Sequence, residues 1–287
     1  MRFKLFLVLA LCAACLCEAP QIFAQEVKPS DSVKPDSVRT NTVTTPEKKE
    51  GVKEKAKEFL SLEEYGEWMM NLFRTKDIER FKYALEYAGK QRHFTQPDFA
   101  SMSFVFFGTT MRTYPETLDV FFKTVGSLPA SEQPIALMAV RYANVEKGNK
   151  LLEDLLKKEE FEKAAKKYEE YAKYKMPDLY KMGFSAEMLD LLWSEFFVTG
   201  DAKPIKRITE ALPGLEDEDN LGMVIVASAA RWSLTSNAVQ FDRVLEILKG
   251  FQKENPSKAI ADIIEKAEEG RQERKTDSDD SPAPTNP

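Results

Sequence analysis

MLDLLWSEFFVTGDAKPIKRITEAL, residues 188–212, reads as two helices joined by a tight turn. Leu189, Leu192, Trp193 and Phe196 fall at i, i+3, i+4 and i+7, which is one face of a helix. Ile205, Ile208 and Leu212 continue an apolar stripe on the next helix. Gly200 punctuates the turn, and Asp201 is placed to accept from the amides that open the second helix.

A related pattern lies upstream in FVFFGTTMRTYPETLDVFFKTVGSLP, residues 104–129. In both stretches a hairpin ends at a Leu-Pro step, Leu128-Pro129 and Leu212-Pro213, and a strongly apolar helix follows. EQPIALMAVRYAN and NKLLEDLLKK complete the first set, LGMVIVASAARWSLTSN and FDRVLEILKGF the second. Arg141-Tyr142 corresponds to Arg231-Trp232. The expected architecture is all-α: a repeat-like bundle or short α-solenoid of stacked antiparallel helices, with a four-helix unit used twice over 97–158 and 186–254.

Around these units the chain divides by composition. Ser61 and Glu64 form a capping-box pattern, opening a helical pair over 61–91. Residues 159–176 carry a narrow stripe of Phe161, Ala165, Tyr168 and Ala172 beside i,i+4 Glu/Lys pairs, so they read as a largely solvated connecting helix that Met176-Pro177 ends. A cap helix follows at 257–270, through Ile260, Ile263 and Ile264. Residues 25–50 have valine as their only apolar type, and 271–287 are polar; both are expected to be disordered, on either side of one all-α domain over 51–270.

LLWSEFFVTGD and ARWSLTSNAVQ, with FVFFGTTMRTYPE upstream, resemble an exported all-α family of bacteria to which no function is attached. The likeness covers roughly residues 62–265 and implies an envelope protein without implying a substrate.

The N-terminus carries the compartment signal. Arg2 and Lys4 precede an apolar run from Leu5 to Cys17, and the small residue Ala24 precedes Gln25. That is a secretory signal over 1–24, with export to the periplasm expected. The run is too short for a membrane helix, which takes ~20 residues. The rival reading is lipidation: Ala13-Ala14-Cys15 supplies half of a lipobox, making Cys15 a lipid-bearing terminus and the membrane a tethering partner. All three cysteines lie in this segment, so cleavage at Ala24 leaves a chain that is stable through its core alone.

Function classes narrow by exclusion. A formal net charge of −6, with lysine and arginine interleaved among acids, argues against nucleic acid as a partner. The lone histidine, His93, sits in polar GKQRHFTQPD and reads as a surface or turn residue. The scattered glycines form no phosphate cradle, so no cofactor is expected. Asp190, Glu195 and Asp201 could suggest a two-carboxylate hydrolase, but Asp190 and Glu195 point about 140° apart on a helix. GLEDEDN, 214–220, lacks the alternation of a calcium loop and reads as a solvated loop before a helix.

The expected function is therefore a scaffold or adaptor binding a protein or peptide in the envelope. The alternatives are a carboxylate-based hydrolase of envelope material and a carrier of an apolar ligand in a Phe- and Met-lined groove. Candidate binding residues are Arg141, Arg231, Trp193, Trp232 and Asp201. The two arginines each end an apolar run and are expected to pair within the fold, with Asp119 and Asp201 as the nearest acids. Trp68, Trp193 and Trp232 are expected to be packed, with each indole N–H on an acceptor.

Overall fold

The computed structural model describes residues 57–217 and 219–279, which form 12 α-helices and no strand. The expected signal, the 25–50 segment and Cys15 lie outside the described residues. The helices are α1 (Leu62–Thr75), α2 (Phe81–Lys90), α3 (Pro97–Thr113), α4 (Thr117–Thr124), α5 (Gln133–Ala143) and α6 (Glu146–Leu156). They continue as α7 (Glu162–Ala172), α8 (Ala186–Thr199), α9 (Ala202–Thr209), α10 (Leu221–Gln240), α11 (Asp242–Glu254) and α12 (Lys258–Asp279).

The core is a row of helices in the order α7, α5, α3, α8, α1, each packed on the next. Helix α3 occupies the middle because it is apolar on nearly every side. Phe104, Val105, Phe106 and Phe107 are all buried on consecutive positions, which only a helix enclosed by neighbours allows. Its closest neighbour is α5. A side chain at Gly108 would place Cβ 2.6 Å from the Ala139 carbonyl oxygen, so only glycine permits this approach. At the far end Phe73 of α1 meets Phe196 of α8 at 5.1 Å and Phe241 before α11 at 5.8 Å, joining both halves through one aromatic cluster.

The sequence of a long helix, an eight-residue helix, a 3-10 turn, then two further helices occurs at α3–α6 and again at α8–α11. The packing inside the two sets differs: α3 lies along α5, whereas α8 meets α10 only lightly. Helix α10 instead rests on α12 and on the 3-10 segment Leu212–Glu216. Ala227, Ala230, Ser233 and Ala238 face inward there, small side chains that let α12 come close.

Caps fix the helix starts. Ser61 Oγ accepts from the Glu64 amide at 3.1 Å, and Glu64 in turn accepts from the Leu60 amide at 2.9 Å. Ser185 caps α8 and Asn220 caps α10 in the same way. Gly200 ends α8 at φ +67, in the left-handed region, with Phe73 Cδ2 3.0 Å from where a Cβ would stand.

Several expectations are corrected here. Helix α12 continues through Asp279, so the expected tail from 271 begins inside a helix. Arg271 holds that turn, donating from Nε to the Ala238 carbonyl at 2.8 Å and pairing with Asp242. Helix α7 is as expected: Phe161, Ala165 and Tyr168 are buried, the acids and lysines between them are exposed, and the helix packs on α5. Most plainly, His93 is not a surface residue: it is 5% exposed, with its ring stacked 4.7 Å from Phe99 and 5.5 Å from Tyr65. Burial pushes its imidazole down to about 4, so it is neutral in the fold. The turn that carries it is tied to the core by Glu132, a wholly buried carboxylate. Glu132 accepts from the Phe94 amide at 3.1 Å and the Thr95 hydroxyl at 2.5 Å, with the Arg92 guanidinium at 4.0 Å.

Candidate functional site

An open cleft of about 730 Å³ lies where five segments end together. Helix α3 brings Arg112, α5 brings Arg141 and Tyr142, and α8 brings Glu195 and Thr199. The turn into α9 adds Asp201 and Lys203, and the irregular stretch after α7 supplies the wall from Met176 to Tyr180. Helix α7 ends at Ala172, just before Met176-Pro177, and the chain to Ser185 carries a turn in which the Lys181 and Met182 amides donate to the Asp178 carbonyl at 2.9 and 3.0 Å.

Its floor is a hydrogen-bonded network. Glu195, whose side chain is 13% exposed, accepts from Arg112 Nη2 at 2.9 Å and from the Tyr180 hydroxyl at 2.8 Å. The Arg112 guanidinium also lies 5.4 Å from the centre of the Tyr142 ring, and Lys203 Nζ sits 3.6 Å above that of Tyr180. Burial, and secondarily the Glu195 charge, raise both tyrosine hydroxyls above their ordinary range, so both stay protonated. Asp178 bonds Lys181 at 2.9 Å, which with the Tyr180 amide holds its carboxyl below the usual carboxylate value.

Two lining cations form no ion pair among the described residues. Arg141 Nη1 donates to the Ala172 carbonyl at 2.6 Å, closing the last turn of α7, and the residue is partly exposed. Lys203 has its contact with the Tyr180 ring and no ion pair. Asp201 is the one lining acid without an ion pair. It occupies the N-cap position of α9 without capping it: its side chain accepts nothing there, and its own amide donates to Thr199 Oγ1 at 3.2 Å.

The structure thus brings Arg141 and Asp201 to one cleft and separates the other candidates from it. Arg141 does not pair with Asp119, which holds Lys147 at 2.8 Å instead. Arg231 pairs with no acid among the described residues and points to solvent. Trp232 beside it is 41% exposed rather than packed; with Leu221 and Ile225 it forms an outward apolar stripe on α10. Trp193 is buried in α8, stacked 5.7 Å from Phe197, and its Nε1–H meets no acceptor. Trp68 behaves as expected, donating to the Asp77 carbonyl at 2.9 Å.

Asp190 lies away from the cleft, partly buried on α8, where desolvation and then Glu187 raise its carboxyl to about 7. Asn220, in the acidic 214–220 loop, accepts from the Met223 amide at 3.2 Å. No group of three potential metal ligands comes together among the described residues, nor does any helix there have the length and apolarity to cross a membrane.

Sequence reasoning missed Arg112, Tyr180 and the 176–180 wall. The Arg112–Glu195 pair spans 83 positions and leaves no local pattern. The signal that could have found the wall was Met176-Pro177, which keeps the chain out of helix between α7 and α8.

A smaller depression of about 470 Å³ lies on the other side of the α8–α9 turn, and Thr199 and Asp201 line both. It adds Phe73, Arg74, Phe241 and Arg243. Comparison with known proteins gives no match to this chain, whether with family models, curated proteins or solved structures.

Proposed function

We propose that this protein is exported to the bacterial envelope and acts by binding a segment of a protein or peptide partner in the cleft framed by Arg112, Arg141, Tyr180 and Lys203. The observation that carries the reading is the contrast between a closed core and an open polar cleft. The large aromatic side chains Phe81, Phe94, Phe106, Phe107, Phe121 and Phe196 are fully buried, while the cleft presents cations, acids and tyrosines.

Two uncommitted carboxyl groups facing across a cleft would have favoured a hydrolase. Glu195 and Asp178 instead each hold a cation and a further donor, which leaves Asp201 by itself. A carrier of an apolar ligand would need a cavity walled by Phe and Met, and Met176 is the sole such residue lining the cleft. The twofold order of helices from α3 to α11 supports a repeat-like scaffold, whose stacked helices offer surfaces of this kind. Export rests on Arg2, Lys4, the apolar run to Cys17 and the Ala24-Gln25 step.

The test is site-specific photo-crosslinking in the native envelope. A photoreactive residue at Asn144 or Met176, both lining the cleft, should trap one defined partner, and the same group at exposed Lys150 should not. Equal trapping from all three positions would refute the assignment.

A further inference from the structure

We propose that the cleft selects an acidic, extended peptide, whose carboxylate is received between Arg141 and Lys203. This deepens the binding reading above and rests on it. Arg112 is neutralised by Glu195, and Asp178 by Lys181. Arg141 and Lys203 line the same cleft with no ion pair, and each is held in place by another contact, although Lys203 is near enough to Asp178 to help hold its carboxyl down. For Arg141 that contact is the Ala172 carbonyl, which fixes the guanidinium by one nitrogen and leaves the others to a ligand. For Lys203 it is the face of the Tyr180 ring.

A third contribution comes from the start of α9. Asp201 does not cap that helix, so the Ala202 and Lys203 amides have no side-chain acceptor, and the positive end of the helix opens beside Lys203. Preorganised cations of this kind recognise a carboxylate without reorganising, which limits the entropic cost of binding.

The shape argues for a chain over a small free anion. The two depressions, of about 730 and 470 Å³, share Thr199 and Asp201 in their linings, so a chain laid past that turn touches both, which one small anion does not. Exposed Arg74 lies in the second depression with no ion pair among the described residues, offering a second cation further along. Asp201 stands between the two and would accept a backbone amide of the ligand. Met176, Pro177 and the Tyr142 ring give alternate side chains an apolar wall.

The experiment is fluorescence anisotropy with the full chain and a labelled peptide of alternating glutamate and leucine, beside an alternating lysine and leucine peptide. Saturable binding of the acidic peptide alone is expected, weakening with added salt. Lys203→Met and Arg141→Gln should each weaken it ~10-fold or more, and Lys203→Arg should retain it. Lys206→Met, exposed on α9 and outside the cleft, should change nothing. Thermal unfolding of Lys203→Met should match wild type, which separates lost binding from lost folding. Equal binding of the basic peptide, or acidic binding indifferent to both substitutions, would overturn the inference. So would inorganic phosphate or phosphatidylglycerol vesicles binding in its place. If the basic peptide binds and crosslinks from Met176 persist, the cleft remains a binding site and only its charge preference falls. If no peptide binds and no cleft crosslink forms, both readings fall.

Discussion

Arg112 and Glu195 bond at 2.9 Å across 83 positions of sequence, fastening the end of α3 to the last turns of α8. Tyr180 shares the same carboxylate, so the 176–180 wall of the cleft is anchored to the junction of the two central helices. Tyr180→Phe removes one donor from a charged acceptor in a partly open place and should cost about 1–2 kcal/mol in urea unfolding. It should also loosen the 176–180 wall, read as faster amide exchange there.

Two glycines provide a matched test of packing. Gly108→Ala would drive Cβ into the Ala139 carbonyl and should destabilise by about 1–3 kcal/mol despite the better helix propensity. Gly250, within α11, has nothing within 4 Å of the place a Cβ would take, and Gly250→Ala should stabilise by about 0.5–1 kcal/mol. Opposite signs in parallel urea titrations are expected.

Two buried groups set opposing pH trends. Neutral His93 is favoured in the fold, its value of about 4 lying below the ordinary 6.5. Its contribution is complete above pH 6.5 and is lost as pH falls toward 4, on the order of 3 kcal/mol. Asp190 runs the other way: raised to about 7 from 3.8, it contributes most below pH 3.8 and loses that contribution as pH rises through 7. His93→Phe should therefore leave a protein whose stability declines between pH 4 and 7. Asp190→Asn should leave one whose stability climbs over that window and should be more stable than wild type at pH 7. Urea midpoints across the pH series measure both.

The two arginines of the corresponding helices should behave differently. Arg231→Met removes an exposed charge with no partner and should change stability by no more than about 0.5 kcal/mol. Arg141→Met removes the donor that closes α7 and should cost about 1–2 kcal/mol.

What the sequence made legible was local. Leu189, Leu192 and Phe196 announced the buried face of α8 because one helix sets their spacing, and Gly200 marked its end by a backbone requirement. His93 does sit in a turn, but its burial was missed because GKQRHFTQPD is polar by itself, while the acid that ties the turn inward, Glu132, lies 38 positions on from Phe94. Trp232 was misread for a different reason. Helix α10 is apolar all round, so periodicity gives it no preferred face; the small residues toward α12 decide the orientation and leave Trp232 outside. The cleft was legible only as Arg141 and Asp201, since Arg112, Tyr180 and Lys203 converge there by tertiary packing.

The most direct test of the account is hydrogen exchange of the full chain, alone and with the partner that the cleft crosslinks identify. The account predicts protection confined to the 173–181 crossing and the turn from Thr199 to Pro204. Protection on the outward stripe of α10, from Leu221 to Trp232, with the cleft unchanged, would contradict it.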